Sequence, residues 1–298
     1  MVRGRVVADS VEYERLRPAL SALRSGDADG LGVILDRDPE LVNLPVGDST
    51  MLELMTQPDA GPPSPDTVGV LIDAGATLDR ALNLAACWNL ADLCSQLLAA
   101  GADPAARADA GITPLESAAM HSSTEAADVL VEHGLHRRTL WLAAASGLLP
   151  MVRNWVAADG SLLADPGPYR PDWADVGRPA GGPRTDDPAE IAGEAFVFAA
   201  ANDRHHVVGY LLDAGVDVDA RPYRNTTGLH LAIQFRRPRM VRLLLERGAS
   251  VTIEDHNHRS DAPGWARACD DGSEDAIGIR RMVRSARFPD GFPPERVR

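Results

Sequence analysis

The chain has 298 residues and a formal net charge of −13, and its composition excludes several classes of protein. Hydrophobic residues make up 45% of the sequence but aromatic residues only 5%, which suits short, closely packed helices and argues against a disordered chain. All 30 basic residues are arginine, so Schiff-base chemistry and a phosphate-loop lysine are excluded.

The sequence predicts neither secretion nor a membrane span. The first ten residues lack the apolar core of a signal peptide, and the longest apolar stretch, residues 140–156, is interrupted by Pro150, Arg153 and Asn154. The 3 cysteines form no C-x-x-C pair, which favours a reducing cytoplasm. The use of arginine with abundant alanine and glycine is typical of a GC-rich bacterial genome.

Helical hairpins are predicted along the first half of the chain. A degenerate first unit spans residues 16–44, with Leu20 and Leu23 on one helix and Val33, Ile34 and Leu35 on the next. A second unit covers residues 49–75, interrupted by a stiff loop of four prolines in residues 57–67. The third unit, residues 81–101, follows so closely that the long turn before it must be missing.

The fourth and fifth units cover residues 111–134 and 139–160. Pro114 is suited to the first helical position of the fourth unit, and the fifth unit again follows with almost no turn. The pattern then stops over residues 161–190, which contain six prolines. We interpret this segment as an inserted loop, and its apolar side chains predict an ordered cover: Leu162, Leu163, Tyr169, Trp173 and Val176.

The clearest unit is the seventh, residues 224–250. A sixth unit precedes it at residues 195–215, and a degenerate eighth follows around Trp265 and residues 277–283. Thr227 can cap a helix that continues with Leu229, Ala232 and Ile233 at helical spacing. A second helix follows with Val241, Leu244 and Leu245 on its apolar side, and Gly248 can end it in a left-handed conformation.

This seventh unit resembles an ankyrin repeat. Thr227, Gly228, Leu229 and His230 stand where the family has T-P-L-H, and Gly248-Ala249 where it has G-A, with a period of about 33 residues. The resemblance covers roughly residues 16–284 and implies an all-α solenoid of about eight stacked hairpins. It divides the chain into repeats 1–5 in residues 1–160, the insertion in residues 161–190, and repeats 6–8 with a C-terminal cap in residues 191–298.

The family histidine typically bonds to the backbone of a neighbouring repeat, and here only His230 matches it. The equivalent positions hold Asn83, Glu116, Trp141 and Val197. We therefore expect less regular bonding between repeats than the family pattern gives.

No catalytic or cofactor motif is present, and we predict neither a cofactor nor a metal site. Asp255, His256, Asn257 and His258 offer two histidines two residues apart, but a third metal ligand is not evident and Asp255 and Asn257 suit a turn. His205 and His206 are interpreted as a solvated corner. Cys87 and Cys94 could form a cluster with His121, but buried cysteines acting as small apolar residues are favoured.

Charge is unevenly distributed. Residues 1–220 carry 15 arginines against 33 acidic residues, a net −18, whereas residues 221–298 carry 15 against 10, a net +5, and together these give the −13 of the chain. The acidic part argues against nucleic-acid binding. The cluster of Arg236, Arg237, Arg239 and Arg242 is interpreted as either a solvated helix face or a contact for an anionic surface.

The resemblance implies protein recognition through the concave face that first helices and turns form. The residues predicted to lie there are Trp88, Met120, His121, Asn202, Gln234 and Phe235, with Trp173 at the edge. The sequence favours a cytoplasmic module that binds another protein. The alternative is an enzyme or small-molecule binder whose pocket lies between these helices and the insertion.

Overall fold

The computed structural model describes residues 11–57, 63–108, 111–134, 139–163, 187–222 and 225–287. Within these ranges the regular secondary structure is helical, and Val46–Ser49 and Val156–Leu162 form isolated β-bridges. The predicted all-α fold is confirmed. The chain divides into two compact units, unit 1 (Met1–Leu135) and unit 2 (His136–Arg298), which are described separately.

Unit 1 contains four helical hairpins in its described part, at the places predicted for repeats 1–4. They are α1 (Val11–Ser25) with α2 (Ala28–Arg37), α3 (Met51–Leu54) with α4 (Pro65–Asp73), α5 (Asp79–Cys87) with α6 (Ala91–Ala99), and α7 (Pro114–His121) with α8 (Thr124–Glu132). A short 3₁₀ helix, Pro39–Asn43, follows α2. Helix α5 packs between α3 and α7, and α6 packs against α8, so successive hairpins stack.

Unit 2 contains the hairpins predicted for repeats 5–8. They are α9 (Leu140–Ala145) with α10 (Leu149–Val152), α11 (Pro188–Ala201) with α12 (His205–Asp213), α13 (Gly228–Gln234) with α14 (Pro238–Glu246), and α15 (Ala262–Ala268) with α16 (Glu274–Arg287). Helix α11 packs between α9 and α13, and α13 also contacts α15. Among the described residues of both units, no helix combines the length and apolarity that a membrane span requires.

Threonine caps begin several first helices, as predicted for Thr227. The Thr113 side chain accepts from the Glu116 N–H, and the Glu116 carboxylate accepts in return from the Thr113 N–H at 2.8 Å. Before α13, the Nδ1 atom of His230 takes the place of that carboxylate and accepts from the Thr227 N–H at 3.2 Å. These reciprocal bonds satisfy backbone donors that have no partner inside the helix.

Small residues allow the first helices to approach closely. The paired alanines of successive first helices are fully buried or nearly so: Ala85, Ala86, Ala118, Ala119, Ala143, Ala144, Ala199, Ala200 and Ala232. At Gly228, an added Cβ would lie 3.2 Å from the Cβ of Ala200 and 3.3 Å from the Phe196 ring. Glycine in place of the family proline therefore fits the close contact between α13 and α11.

The shortened turns fall where the sequence predicts them. Only residues 74–78 separate α4 from α5, whereas residues 100–113 separate α6 from α7. Residues 133–139 separate α8 from α9, although 135–138 lie outside the described residues.

Some local details differ from the expectations. Helix α11 begins at Pro188, within the segment interpreted as insertion, because Asp187 caps it by accepting from the Ala189 N–H at 3.0 Å. Val33 lies on α2, as predicted, and is 50% exposed, whereas Leu31 and Leu35 fill the core. Leu163, expected to be buried by the insertion, is 60% exposed, and residues 164–186 lie outside the described residues.

Candidate functional site

In each unit, the candidate site consists of residues at the ends of the first helices, where each helix turns toward its partner. Trp88 follows α5, His121 ends α7 and Phe235 follows α13. The residue that directly follows each of them has a positive φ: Asn89 (58°), Ser122 (56°) and Arg236 (53°). The shared backbone turn puts the three side chains at equivalent positions of their hairpins.

Trp88 and His121 form the part of this row in unit 1. The Trp88 side chain is 50% exposed, and His121 is exposed with its Nδ1 atom 2.9 Å from the Ser117 carbonyl oxygen. Because α5 packs against α7, these equivalent positions lie on adjacent hairpins of unit 1. An exposed indole and an exposed imidazole on adjacent hairpins can contact apolar and polar groups of a partner.

The backbone around Trp88 is held by the following repeat. The Ser123 hydroxyl donates to the Cys87 carbonyl oxygen at 2.8 Å. The Asn89 side-chain oxygen accepts from the backbone N–H groups of Glu125 and Ala126, each at 3.1 Å. Trp88 therefore lies between two anchored residues, which fixes its position before any partner binds.

Met120 and Asn202, also predicted to line the row, lie inside the protein. Met120 is only 9% exposed and Asn202 is 0% exposed, with the Asn202 amide donating to the Phe198 carbonyl oxygen at 2.9 Å. We leave both out of the binding surface for this reason.

In unit 2, the predicted site residues in the described part of the chain that stay at the surface are Gln234 and Phe235. Gln234 is exposed and Phe235 is half-buried, so the phenyl ring offers only part of its surface. The neighbouring Arg236 forms an ion pair with Asp271 at 3.2 Å. A charged rim thus borders a small apolar contact in this unit.

Trp173, placed at the edge of the row by the sequence, lies outside the described residues. The alternative of a pocket beneath the insertion therefore stays a prediction from the sequence.

Asp255 organises a turn, as its position in the sequence indicated. The buried carboxylate accepts from the backbone N–H groups of Asn257 (2.8 Å) and His258 (2.9 Å) and from the Trp265 indole at 3.0 Å. Burial alone would raise the pKa of Asp255, but these donors, with the Ser260 N–H, together lower it. In the described part of the chain, no three His, Cys, Asp or Glu side chains are grouped to hold a metal ion.

The corner at His205 and His206 is more than a solvated turn. His206 is exposed, but its Nε2 atom lies 2.8 Å from the Gly147 carbonyl oxygen. The adjacent Arg204 donates from Nε to the Ala145 carbonyl oxygen at 3.0 Å. These contacts join repeat 6 to repeat 5, a role that the sequence reasoning missed.

Asn83 makes a hydrogen bond between repeats like the one that the family histidine typically makes. Its amide donates to the Ile112 carbonyl oxygen at 3.1 Å, at the start of the next repeat. His230 itself packs on Trp265 with ring centroids 5.5 Å apart. Burial lowers the pKa of His230, and the opposing influence of Asp255 and of the Ile253 and Ser260 backbone does not restore it.

The cysteines are not arranged as a reactive cluster in the described residues. Cys94 is buried, and burial raises its pKa to about 12. Cys87 is half-buried and its pKa is also raised by burial. A thiol with a raised pKa is a weak nucleophile and metal ligand at neutral pH, so both behave as small apolar residues.

Capped helical hairpins that stack within each unit define a helical repeat protein. Three comparisons with known proteins bear on which class of repeat this is. The family model for ankyrin repeats (3 copies) matches residues 173–255. An Arabidopsis thaliana protein, the E3 ubiquitin-protein ligase KEG, is 30% identical over 234 residues, covering 64% of this chain but only 14% of the ligase.

Among solved structures, the human ASB11 ankyrin repeat domain aligns with 93% of this chain and 99% of its own, with a TM-score of 0.43 and 14% identity. The match over residues 173–255, together with the hairpins, caps and turns described above, shows that the chain contains ankyrin repeats. Ankyrin repeats are in general modules for protein interaction.

Proposed function

We propose that this protein binds another protein through its concave face, with Trp88 and His121 as the main contacts in unit 1. The single observation that supports this is the exposure of Trp88, which is 50% although the residue is large and apolar. Tryptophan is enriched among the residues that dominate binding energy in interfaces, because it buries a large area with few rotatable bonds.

The anchoring of Trp88 adds to this argument. Cys87 and Asn89 on either side are bonded to the next repeat, so little backbone order remains to be gained on binding. A contact that is ordered beforehand loses less entropy when the complex forms. Gln234 and Phe235 are proposed as the equivalent contact in unit 2.

The proposed setting is the reducing cytoplasm of a bacterium. Cys87, Cys94 and Cys269 are free thiols, which is compatible with a reducing compartment. The acidic composition favours a protein partner over a nucleic acid, and we propose no membrane partner.

Site-specific photocrosslinking tests this function. A photoreactive phenylalanine analogue would replace Trp88, and in a matched protein it would replace Val33, which is equally 50% exposed but lies outside the row. We expect a discrete crosslinked protein from position 88 and none from position 33 in the source cytoplasm. Equal crosslinking from both positions, or none from position 88, would count against the proposal.

A further inference from the structure

The last hairpin of unit 2 contains an arginine-lined surface cavity that the candidate site does not use. Its volume is about 380 Å³, and its lining comes from α15 and α16: Pro263, Ala266, Arg267, Arg280, Arg284 and Arg287. Four guanidinium groups therefore surround a small apolar floor, in the part of the sequence that carries a net +5.

Three of these arginines lie on one face of α16. Arg280, Arg284 and Arg287 are four and three residues apart, the spacing that aligns side chains along a helix. At about 1.5 Å per residue, the row extends for roughly 10 Å. Arg267 lines the same cavity from the last turn of α15.

Carboxylates hold guanidinium groups of this cavity from the side. Arg280 pairs with Asp270, and Arg287 pairs with Asp261. A guanidinium has five N–H donors, whereas a carboxylate engages at most two of them in a fork. The ion pairs restrict the side chains, and the described residues that line the cavity are four arginines, a proline and an alanine, with no carboxylate among them.

We propose that this cavity binds an extended acidic segment of a partner protein. An extended chain rises about 3.3 Å per residue and points alternate side chains to one side, so carboxylates two residues apart lie about 7 Å apart. Two such carboxylates fit along the roughly 10 Å arginine row, and a small residue between them fits against Pro263 and Ala266.

The charge of the chain favours such a segment over a nucleic acid. Residues 1–220 carry a net −18, which repels a long polyanion, while a short peptide contacts only the basic hairpin. The proposal is independent of the Trp88 surface.

The test is a fluorescence-anisotropy titration of the full chain with a labelled peptide of sequence Gly-Glu-Ala-Glu-Ala-Glu-Gly. We expect it to bind, more weakly as salt rises, whereas the peptide with Gln in place of each Glu should not bind. Arg284→Gln and Arg267→Gln should each weaken binding by at least about fivefold, since each removes charge-assisted hydrogen bonds.

Arg239→Gln is the matched control, because Arg239 is an exposed arginine of α14 outside the cavity and should leave binding within about twofold of the parent. Trp88→Ala should also bind the peptide as the parent does. The proposal is wrong if both cavity variants keep parental affinity with unchanged circular dichroism, or if Arg239→Gln weakens binding equally. Tighter binding of a single-stranded oligonucleotide with the same number of charges would overturn the choice of ligand.

Discussion

At the scale of single residues, Asn89 lies in the turn of repeat 3 but its side chain bonds to repeat 4. Its side chain occupies the N-terminus of α8 and accepts from two backbone donors there. Its own φ of 58° lies in the left-handed region, which asparagine tolerates better than most residues. One residue thus ends α5 and stabilises the start of a helix in the next hairpin.

Replacing Asn89 by Gly should lower the free energy of unfolding by about 1–2 kcal/mol, because its side-chain hydrogen bonds with the Glu125 and Ala126 N–H groups and with the Glu125 carboxylate are lost while the turn conformation stays accessible. Urea unfolding followed by circular dichroism measures this. Arg236→Gly is the control, since it has a similar φ of 53° and only an exposed ion pair, and it should be neutral or stabilising. Equal stability of Asn89→Gly and the parent would show that the cap contributes nothing.

The protonation of His230 should make folding stability depend on pH. Its pKa is lowered in the folded protein by burial, so the unfolded chain binds the proton more readily. Folding stability should therefore be full above the unfolded pKa of about 6.5 and fall as the pH drops below it.

The parent should lose more stability than His230→Gln between pH 7.5 and pH 5.5, as measured by urea unfolding at both values. The glutamine side chain does not titrate in this range, so the difference between the two pH profiles isolates His230. Parallel profiles would mean that His230 does not titrate with unfolding.

At the scale of elements, the turn before α15 depends on one buried carboxylate. Asp255 is 1% exposed and receives bonds from three backbone N–H groups and the Trp265 indole. Trp265 in turn lies between His230 and His258, with ring centroids 5.5 and 5.2 Å away. The carboxylate therefore connects the long turn to the packing of repeat 7 against repeat 8.

Asp255→Ala should destabilise the protein by about 2–4 kcal/mol, because several buried donors lose their acceptor together. The matched control is Asp217→Ala, which removes one exposed bond to the Asp219 N–H and should cost less than about 0.5 kcal/mol. Thermal unfolding of both variants makes the comparison. Similar melting temperatures for the two variants would contradict the role given to Asp255.

The elements that could be predicted from sequence are those determined by local patterns. Thr227, Pro114 and Gly248 each act within their own hairpin, so spacing alone located helix starts and ends. The bonds of Asn89, Arg204 and His206 cross between hairpins, and nothing in the local sequence indicates which carbonyl or N–H they meet.

The burial of Met120 follows from the direction in which helical side chains point. Successive residues of a helix point about 100° apart, so Met120 and His121 point in different directions. The predicted row took pairs of adjacent residues, and the structure exposes His121 while burying Met120.

At the scale of the whole molecule, two surfaces of different chemistry are proposed. The end of α5 offers an exposed indole, and the last hairpin offers arginines around a cavity. Trp88 belongs to residues 1–220, with a net charge of −18, and the cavity to residues 221–298, with a net charge of +5. Binding at the arginine cavity should therefore depend on salt, whereas binding at Trp88 should depend mainly on apolar contact.

The central claim is that Trp88 contacts the partner, and a binding titration with the partner isolated by crosslinking tests it most directly. The dissociation constant would be measured for the parent, Trp88→Ala and Val33→Ala, with circular dichroism confirming equal helical content. We predict that Trp88→Ala weakens binding by at least ~1 kcal/mol, about fivefold, while Val33→Ala binds as the parent does. A Trp88→Ala protein that is folded and binds with parental affinity would contradict the account.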